Sequence, residues 1–208
     1  MDGVFMKKIC KRICFCLCIS GCIWIYSVAV DRAQLNSGLI RLHVVANSDS
    51  QADQNVKLRV RDAVVESLSE AMEDISDMDE AKAYLRENLP KIEQTAKNCL
   101  RTLGYEDSVR AVLDTEVFDT RHYETFSLPA GVYDALRITI GEGNGKNWWC
   151  VVFPTLCIPA SSEGFENVAA GAGFPDALTA ALQGEEGYEL RFYLLDLLGK
   201  MEGYFAGG

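Results

Sequence analysis

The sequence predicts an α+β domain behind an apolar leader. The expected sheet is mostly antiparallel, one N-terminal strand plus a three-strand meander, with two long helices and a C-terminal helix packed on one face. Three observations carry this. A β-branched run bounded by turn residues comes first, and two long stretches then space their apolar residues at helical steps of three and four. After Gly104 the runs become short and β-branched, separated by Pro and Gly. With 208 residues, 49% of them hydrophobic and 24% charged, the chain is long enough to bury one full core, so a single domain is expected.

Ahead of the domain, Lys7, Lys8, Lys11 and Arg12 precede the uncharged run ICFCLCISGCIWIYSVAV, residues 13 to 30, which ends at Asp31. A basic stretch followed by an apolar one is the pattern of a secretory signal, and Ser27-Val28-Ala29 offers small residues where a signal peptidase cuts. The same run, at about 18 residues, also suffices to span a bilayer as an uncleaved anchor. Ile19-Ser20-Gly21-Cys22 has the form of a lipobox, but the IWIY that follows is more apolar than a lipoprotein tether. Residues 1–30 are therefore read as signal peptide or membrane anchor, and residues 31–208 as one exported domain. Removing residues 1–30 takes away four basic residues and one acidic one, so the net charge of −10 becomes about −13. Such a domain is a poor partner for nucleic acid or anionic lipid, and its contact with membrane is expected only through an uncleaved leader.

The elements follow in order. GLIRLHVVAN, residues 38 to 47, is a strand closed by the Asn47-Ser48-Asp49-Ser50 cluster. Ser50 with Asp53 three residues on is a capping spacing, and Val56, Val60, Ala63, Val64, Leu68, Ala71, Met72 and Ile75 mark a helix over 51–74. Ser76 to Asp79 opens the next, with Ala81, Leu85, Leu89, Ile92, Ala96, Cys99 and Leu103 on its stripe and Gly104 at its end. Pro90 inside it predicts a kink or two shorter helices. Residues 108–118, 132–141 and 148–154 read as strands, and Leu190, Tyr193, Leu194, Leu197 and Leu198 as a short amphipathic helix. Residues 159–186, rich in Ala, Gly and Ser, promise a loop with at most a weak helix.

The chemistry concentrates in GEGNGKNWWCVVFPTLC, residues 141 to 157. A Walker loop requires Gly-Lys-Ser/Thr, but Gly145-Lys146 is followed by Asn147, and the loop runs into a strand rather than a helix N-terminus. A thiol nucleophile at Cys150 would need a base, for which the chain offers His43 and His122. His43 shares its strand face with Arg41 and Val45, opposite Leu42 and Val44. Histidine and cysteine spacings lack HxxxH or CxxC, so neither a metal site nor a cofactor is expected. Cys10, Cys14, Cys16, Cys18 and Cys22 are small hydrophobes of the leader and Cys99 falls on a helical stripe. Cys150 and Cys157 remain as a candidate disulfide, which requires the chain to reverse around Pro154-Thr155. Trp148 beside Trp149 predicts one indole in the core and one left for solvent, a further layer or a partner. Asp49 and Asp53 at a helix start are explained by the cap and the helix dipole.

LIRLHVVANSDSQADQNVKLRVRDAVVESL, residues 39 to 68, and LPAGVYDALRITIGEGNGKNWWCVVFPTLC, residues 128 to 157, resemble the stage II sporulation protein R family of endospore-forming bacteria, and YELRFYLLDLL, residues 188 to 198, is similar to the family's C-terminal helix. The resemblance implies a protein made in the forespore and exported to the intermembrane space of the sporangium. There it would trigger a membrane-embedded aspartic peptidase to process the precursor of sigma factor E, acting as a signal rather than an enzyme. Partner-binding residues are then sought at Asn147, Trp148, Trp149, His43, Asn47, Asp49 and Asp53. The competing reading is a secreted cysteine-dependent hydrolase or transpeptidase acting on the cell wall through Cys150 and His43.

Overall fold

The computed structural model describes residues 3–123, 125–154 and 164–206. It begins with one long helix, α1 (Gly3–Gly38), which is long and apolar enough to cross a membrane. Strand β1 (Ile40–Val45) leads to α2 (Gln51–Glu73) and α3 (Met78–Thr102), and β2 (Val109–Phe118) follows. The short strands β3 (Arg121–His122) and β4 (Ser127–Leu128) form a separate ribbon. The chain then continues through β5 (Gly131–Ile140), β6 (Asn147–Phe153), α4 (Gly164–Gly171), α5 (Asp176–Gln183) and α6 (Glu189–Ala206).

Local chemistry explains most of these boundaries. The Ser50 hydroxyl accepts from the Asp53 amide at 3.1 Å and starts α2. Asp77, one residue after the expected Ser76, caps α3 by accepting from the amides of Asp79 and Glu80. Pro90 does not divide α3: it lies on the solvent face, where the carbonyl it leaves free meets water. The stretch read as a loop with at most a weak helix holds two short helices, α4 and α5, and α5 stops where Gly184 turns left-handed at φ 72°. The C-terminal helix is 18 residues long, well beyond the short segment expected.

The α+β class is as expected, with a mixed, mostly antiparallel sheet, but the strand order is not a meander. The order is β2-β5-β1-β6, with β1 parallel to β5 and antiparallel to β6. The first strand is thus inserted between two that sequence order would have paired. Both its edges are hydrogen-bonded, and all six of its residues are buried.

The helices also cover both faces rather than one. Against the first face, α2 and α3 pack Val60, Val64, Leu68, Leu85, Ile92 and Ala96 onto Leu42, Val44, Leu136, Ile138 and Val152. Against the second, Val28 and Leu35 of α1, Leu178 and Leu182 of α5 and Leu195 of α6 meet Phe118, Tyr133, Ala135 and Val151. Each large aliphatic buried in this way contributes about 1.5–3 kcal/mol. The last third of α1 is thereby part of the domain. Two ion pairs add to it: Arg191 Nε donates to buried Asp31 at 2.6 Å, and buried Arg32 donates to Glu202 at 2.9 Å.

Candidate functional site

The glycine loop, residues 141–146, joins β5 to β6 across the end of β1, a span of two strand spacings or about 10 Å. It therefore passes directly over the point where the chain leaves β1 for α2, and the two segments are stitched together. Asn47 Oδ1 accepts from the Glu142 amide at 3.0 Å, and the Asn47 and Ala46 carbonyls accept from the amides of Asn144 and Gly145. Asp49 accepts from the Lys146 amide at 2.7 Å. Lys57, almost fully buried, donates to the Lys146 carbonyl at 3.0 Å and to Gln54. Two glycines are obligatory by contact: a β-carbon at Gly145 would lie 2.3 Å from the Ser48 carbonyl oxygen, and one at Gly141 would lie 2.2 Å from Asn47 Oδ1.

Asp53 is the hub of this stitching. Its carboxylate accepts from the Ser48 hydroxyl at 2.5 Å and from Asn47 Nδ2 at 3.2 Å, orienting the amide that holds the loop. The Ser48 hydrogen bond is the main reason its pKa lies below the ordinary aspartate value. Burial pulls the Lys57 ammonium below the usual lysine range, opposed by nearby Asp49. The loop amides thus serve the Asn47–Asp53 cap, and the outward groups are the side chains of Glu142, Asn144, Lys146 and Asn147.

Neither tryptophan is spare, because each face of the sheet has its own cover. Trp148 packs on the α2/α3 side with the Arg61 guanidinium 4.2 Å above its ring. Trp149 stacks on His43 on the opposite side, ring centroids 3.8 Å apart. Both are half-buried. The residues sought as a single partner surface fall into three places: Asn47, Asp49, Asp53 and Asn147 at the stitched end, Trp148 on the α2/α3 face, and His43 with Trp149 on the second face.

That second face holds a cluster the sequence did not announce. Arg41 is 0% exposed, with its guanidinium 4.0 Å from the Phe118 ring centre and one nitrogen donating to the Tyr123 hydroxyl at 3.2 Å. His43, 8% exposed, is hydrogen-bonded through Nδ1 to Glu116 at 2.7 Å, and Glu116 also pairs with Arg137 at 3.3 Å. Arg121 lies 5.2 Å above the Trp149 ring. Burial pushes the Tyr123 hydroxyl above the ordinary tyrosine range. Among the described residues, buried Arg41 Nε and Nη1, His43 Nε2 and Arg121 Nε meet no hydrogen-bond partner, an unusual concentration of such groups. Arg41, Glu116, Arg121 and Tyr123 were missed as site residues. The available signal was the polar pair Arg41 and His43 on one side of a strand otherwise too apolar to face water.

The thiol pathway fails on geometry. In the β1–β6 register His43 stands opposite Trp149 and Leu42 opposite Cys150, so the imidazole and the thiol point to opposite faces of the sheet. Cys150 belongs to the α2/α3 core. Cys157, its expected disulfide partner, lies outside the described residues. His122 pairs with Ser127 on the β3–β4 ribbon. Among the described residues no three His, Cys, Asp or Glu side chains gather as a metal site.

A family model described as Stage II sporulation protein R matches residues 36–163, which contain β1, the stitched loop and both tryptophans. Stage II sporulation protein R of Bacillus subtilis (strain 168) is 42% identical over 125 residues, 60% of this chain and 56% of that protein's length. No solved structure matches. The fused α1, the stitched loop and the cationic cluster are thus features of a sporulation protein: the chain belongs to the stage II sporulation protein R family.

Proposed function

We propose that this protein is an exported sporulation signal that activates a membrane-embedded aspartic peptidase, which then processes the precursor of sigma factor E. Its place is the intermembrane space of the sporangium. The observation that carries the reading is the continuity of α1 with the domain. Four basic residues lie before the apolar run, which favours an N-terminus inside and a domain outside. The same helix then enters the core at Val28 and is fastened to α6 by Asp31 and Arg32. A domain fused to its own membrane helix is held against the outer bilayer surface, where a membrane-embedded peptidase is within reach. In this reading α1 is an anchor rather than a cleaved signal, since Val28, central to the Ser27-Val28-Ala29 cleavage motif, is helical and 1% exposed.

The partner-facing residues at the stitched end are Asn147 and the outward loop side chains. Asn47, Asp49 and Asp53 hold the loop from beneath, while Trp148 on one face of the sheet and His43 with Trp149 on the other fix the strand that leads out of it. The hydrolase reading loses its base, because His43 and Cys150 are on opposite faces.

Co-expression of the full chain with the peptidase and the precursor in a non-sporulating host tests this. Processing that depends on the chain is expected, and it should stop when residues 1–30 are deleted and the domain stays in the cytoplasm. Precursor that remains uncut with all three present, or cutting that persists without export, contradicts the proposal.

A further inference from the structure

The second face of the sheet buries more positive charge than it neutralises. Elsewhere the buried cations have acceptors: Arg32 meets the Glu202 carboxylate, and Lys57 meets Gln54 Oε1 and the Lys146 carbonyl. Arg41 is different. It is fully buried, yet its guanidinium makes a single hydrogen bond among the described residues, from Nη2 to the Tyr123 hydroxyl, and Nε and Nη1 have no acceptor. Arg121 likewise forms no ion pair among the described residues, and its Nε is buried without an acceptor. Glu116, the carboxylate inside the cluster, is already divided between His43 and Arg137.

These groups share one aromatic frame. Phe118 has the Arg41 guanidinium 4.0 Å from its ring centre and has both His43 and Trp149 as neighbours. Trp149 in turn stacks on His43 and lies 5.2 Å from the Arg121 guanidinium. Tyr123 is within electrostatic reach of Arg41 and Arg121 alike. Ring faces attract a guanidinium, but they offer no acceptor to the N–H groups in its plane. Water accepts such hydrogens but supplies no negative charge, and a buried charge without a counter-charge is costly.

We propose that this cluster binds a phosphate dianion, either inorganic phosphate or the terminal group of a phosphate monoester. The guanidinium groups of Arg41 and Arg121, neither of them paired, match its two negative charges, and their N–H groups suit phosphate oxygens in spacing and direction. Glu116 holds Nδ1 of His43, which leaves the buried Nε2 for a further phosphate oxygen. A carboxylate or a phosphodiester brings one negative charge and leaves one guanidinium unmatched. Arg121, Tyr123 and Trp149 are half-buried, so the cluster is reached from solvent on their side. The net charge of the chain, −10, opposes capture at long range, so retention rests on these contacts. The site does not depend on the signalling function proposed above.

The test titrates the full chain, purified in a neutral detergent, with inorganic phosphate at constant ionic strength and at about pH 7.5, where phosphate is mainly dianionic. Melting temperature and tryptophan fluorescence are read together. A saturable rise in melting temperature is expected, with a fluorescence change from Trp149. Glycerol phosphate, a monoester, should bind as well or identify the free ion as the occupant by binding more weakly. Dimethyl phosphate and acetate, each with one charge, should bind at least about tenfold more weakly than phosphate. Arg41→Met and Arg121→Gln should each weaken phosphate at least about tenfold, whereas Arg101→Gln, an exposed guanidinium in the last turn of α3, should leave it unchanged. Arg121 is half-buried, so its variant reports on the site even if Arg41→Met does not fold. The proposal is overturned if neither inorganic phosphate nor glycerol phosphate gives a saturable response in wild type. It is equally overturned if the singly charged anions bind as tightly as phosphate, or if Arg121→Gln binds phosphate as wild type does.

Discussion

The two faces of the sheet are built by different rules. The α2/α3 face is mainly aliphatic and covered by two helices that follow one another in sequence; a few polar ties at its margins, Lys82 with Asp134 and the Ala111 amide to Glu93, supplement the packing. The opposite face is aromatic and charged, and it is closed by helices from the two ends of the chain. On the first, each residue's role follows from its own periodicity. On the second, Arg41 and His43 are buried among Phe118, Tyr123, Tyr133 and Trp149, in a layer to which helices from both ends of the chain contribute. The same strand serves both, turning Leu42 and Val44 one way and Arg41 and His43 the other.

The sharpest way to break this contrast is at Phe118, which touches Arg41, His43, Tyr133 and Trp149 at once. Phe118→Ala should cost about 3–5 kcal/mol in denaturant unfolding. A loss below about 1 kcal/mol would show that the cluster is not packed as described. Leu85→Ala on the aliphatic face should cost about 2–5 kcal/mol through cavity formation alone, independent of pH.

Gly145→Ala probes the stitching, because its β-carbon has no room beside the Ser48 carbonyl. A destabilisation of about 1–3 kcal/mol is expected, with faster amide exchange at Glu142 and Lys146. Unchanged exchange at those amides would mean the loop is not tied to the cap.

Arg41→Met should have the smallest effect of the buried substitutions. Two of its guanidinium nitrogens meet no partner among the described residues, so the lost cation–π contact of about 2 kcal/mol is offset by relief of unsatisfied donors and retention of volume. A net change within about 1 kcal/mol is expected in the same unfolding experiment. A loss above about 3 kcal/mol would instead mark Arg41 as a fully compensated structural charge.

A pH titration distinguishes the stitched end from both faces. The Asp53 pKa is lowered below 3.8 by its hydrogen bonds. Its contribution is therefore present above the unfolded value and lost as pH falls through the folded one. Relative to Asp53→Asn, wild type should lose its stability advantage below about pH 4 and keep it at neutral pH. An advantage that does not change with pH would assign the stabilisation to shape rather than charge.

Much of this was legible from residues alone. The strand at 40–45, the capped helices and the strands at 109–118, 131–140 and 147–153 all stand within a residue or two of their predicted places, because capping and periodicity are local. Pairing is not local. Nothing in the spacing of β5 and β6 reveals that β1 lies between them, so the meander was the wrong assembly of correct strands. Of the surroundings left open for the second indole, solvent, a further layer or a partner, the structure supplies the further layer, which depends on distant elements and not on local spacing. Helix α5 was readable in principle: Pro175 and Asp176 at its start and Gly184 at its end are the expected punctuation, masked by an Ala-rich composition. The inner charges Arg41 and Glu116 were not, because burial of a charge depends on which distant element covers it.

The domain is proposed to stand outside the cell membrane on its own helix. External protease applied to intact protoplasts of a non-sporulating host that makes the full chain, followed by mass spectrometry of what remains in the membrane, is the decisive measurement. An outward domain carried on α1 should be digested, leaving an N-terminal fragment that ends shortly after residue 30 in the membrane. A domain protected from the protease would contradict the outward topology. Untreated protein released into the medium with residue 30 as its first residue would contradict the anchor.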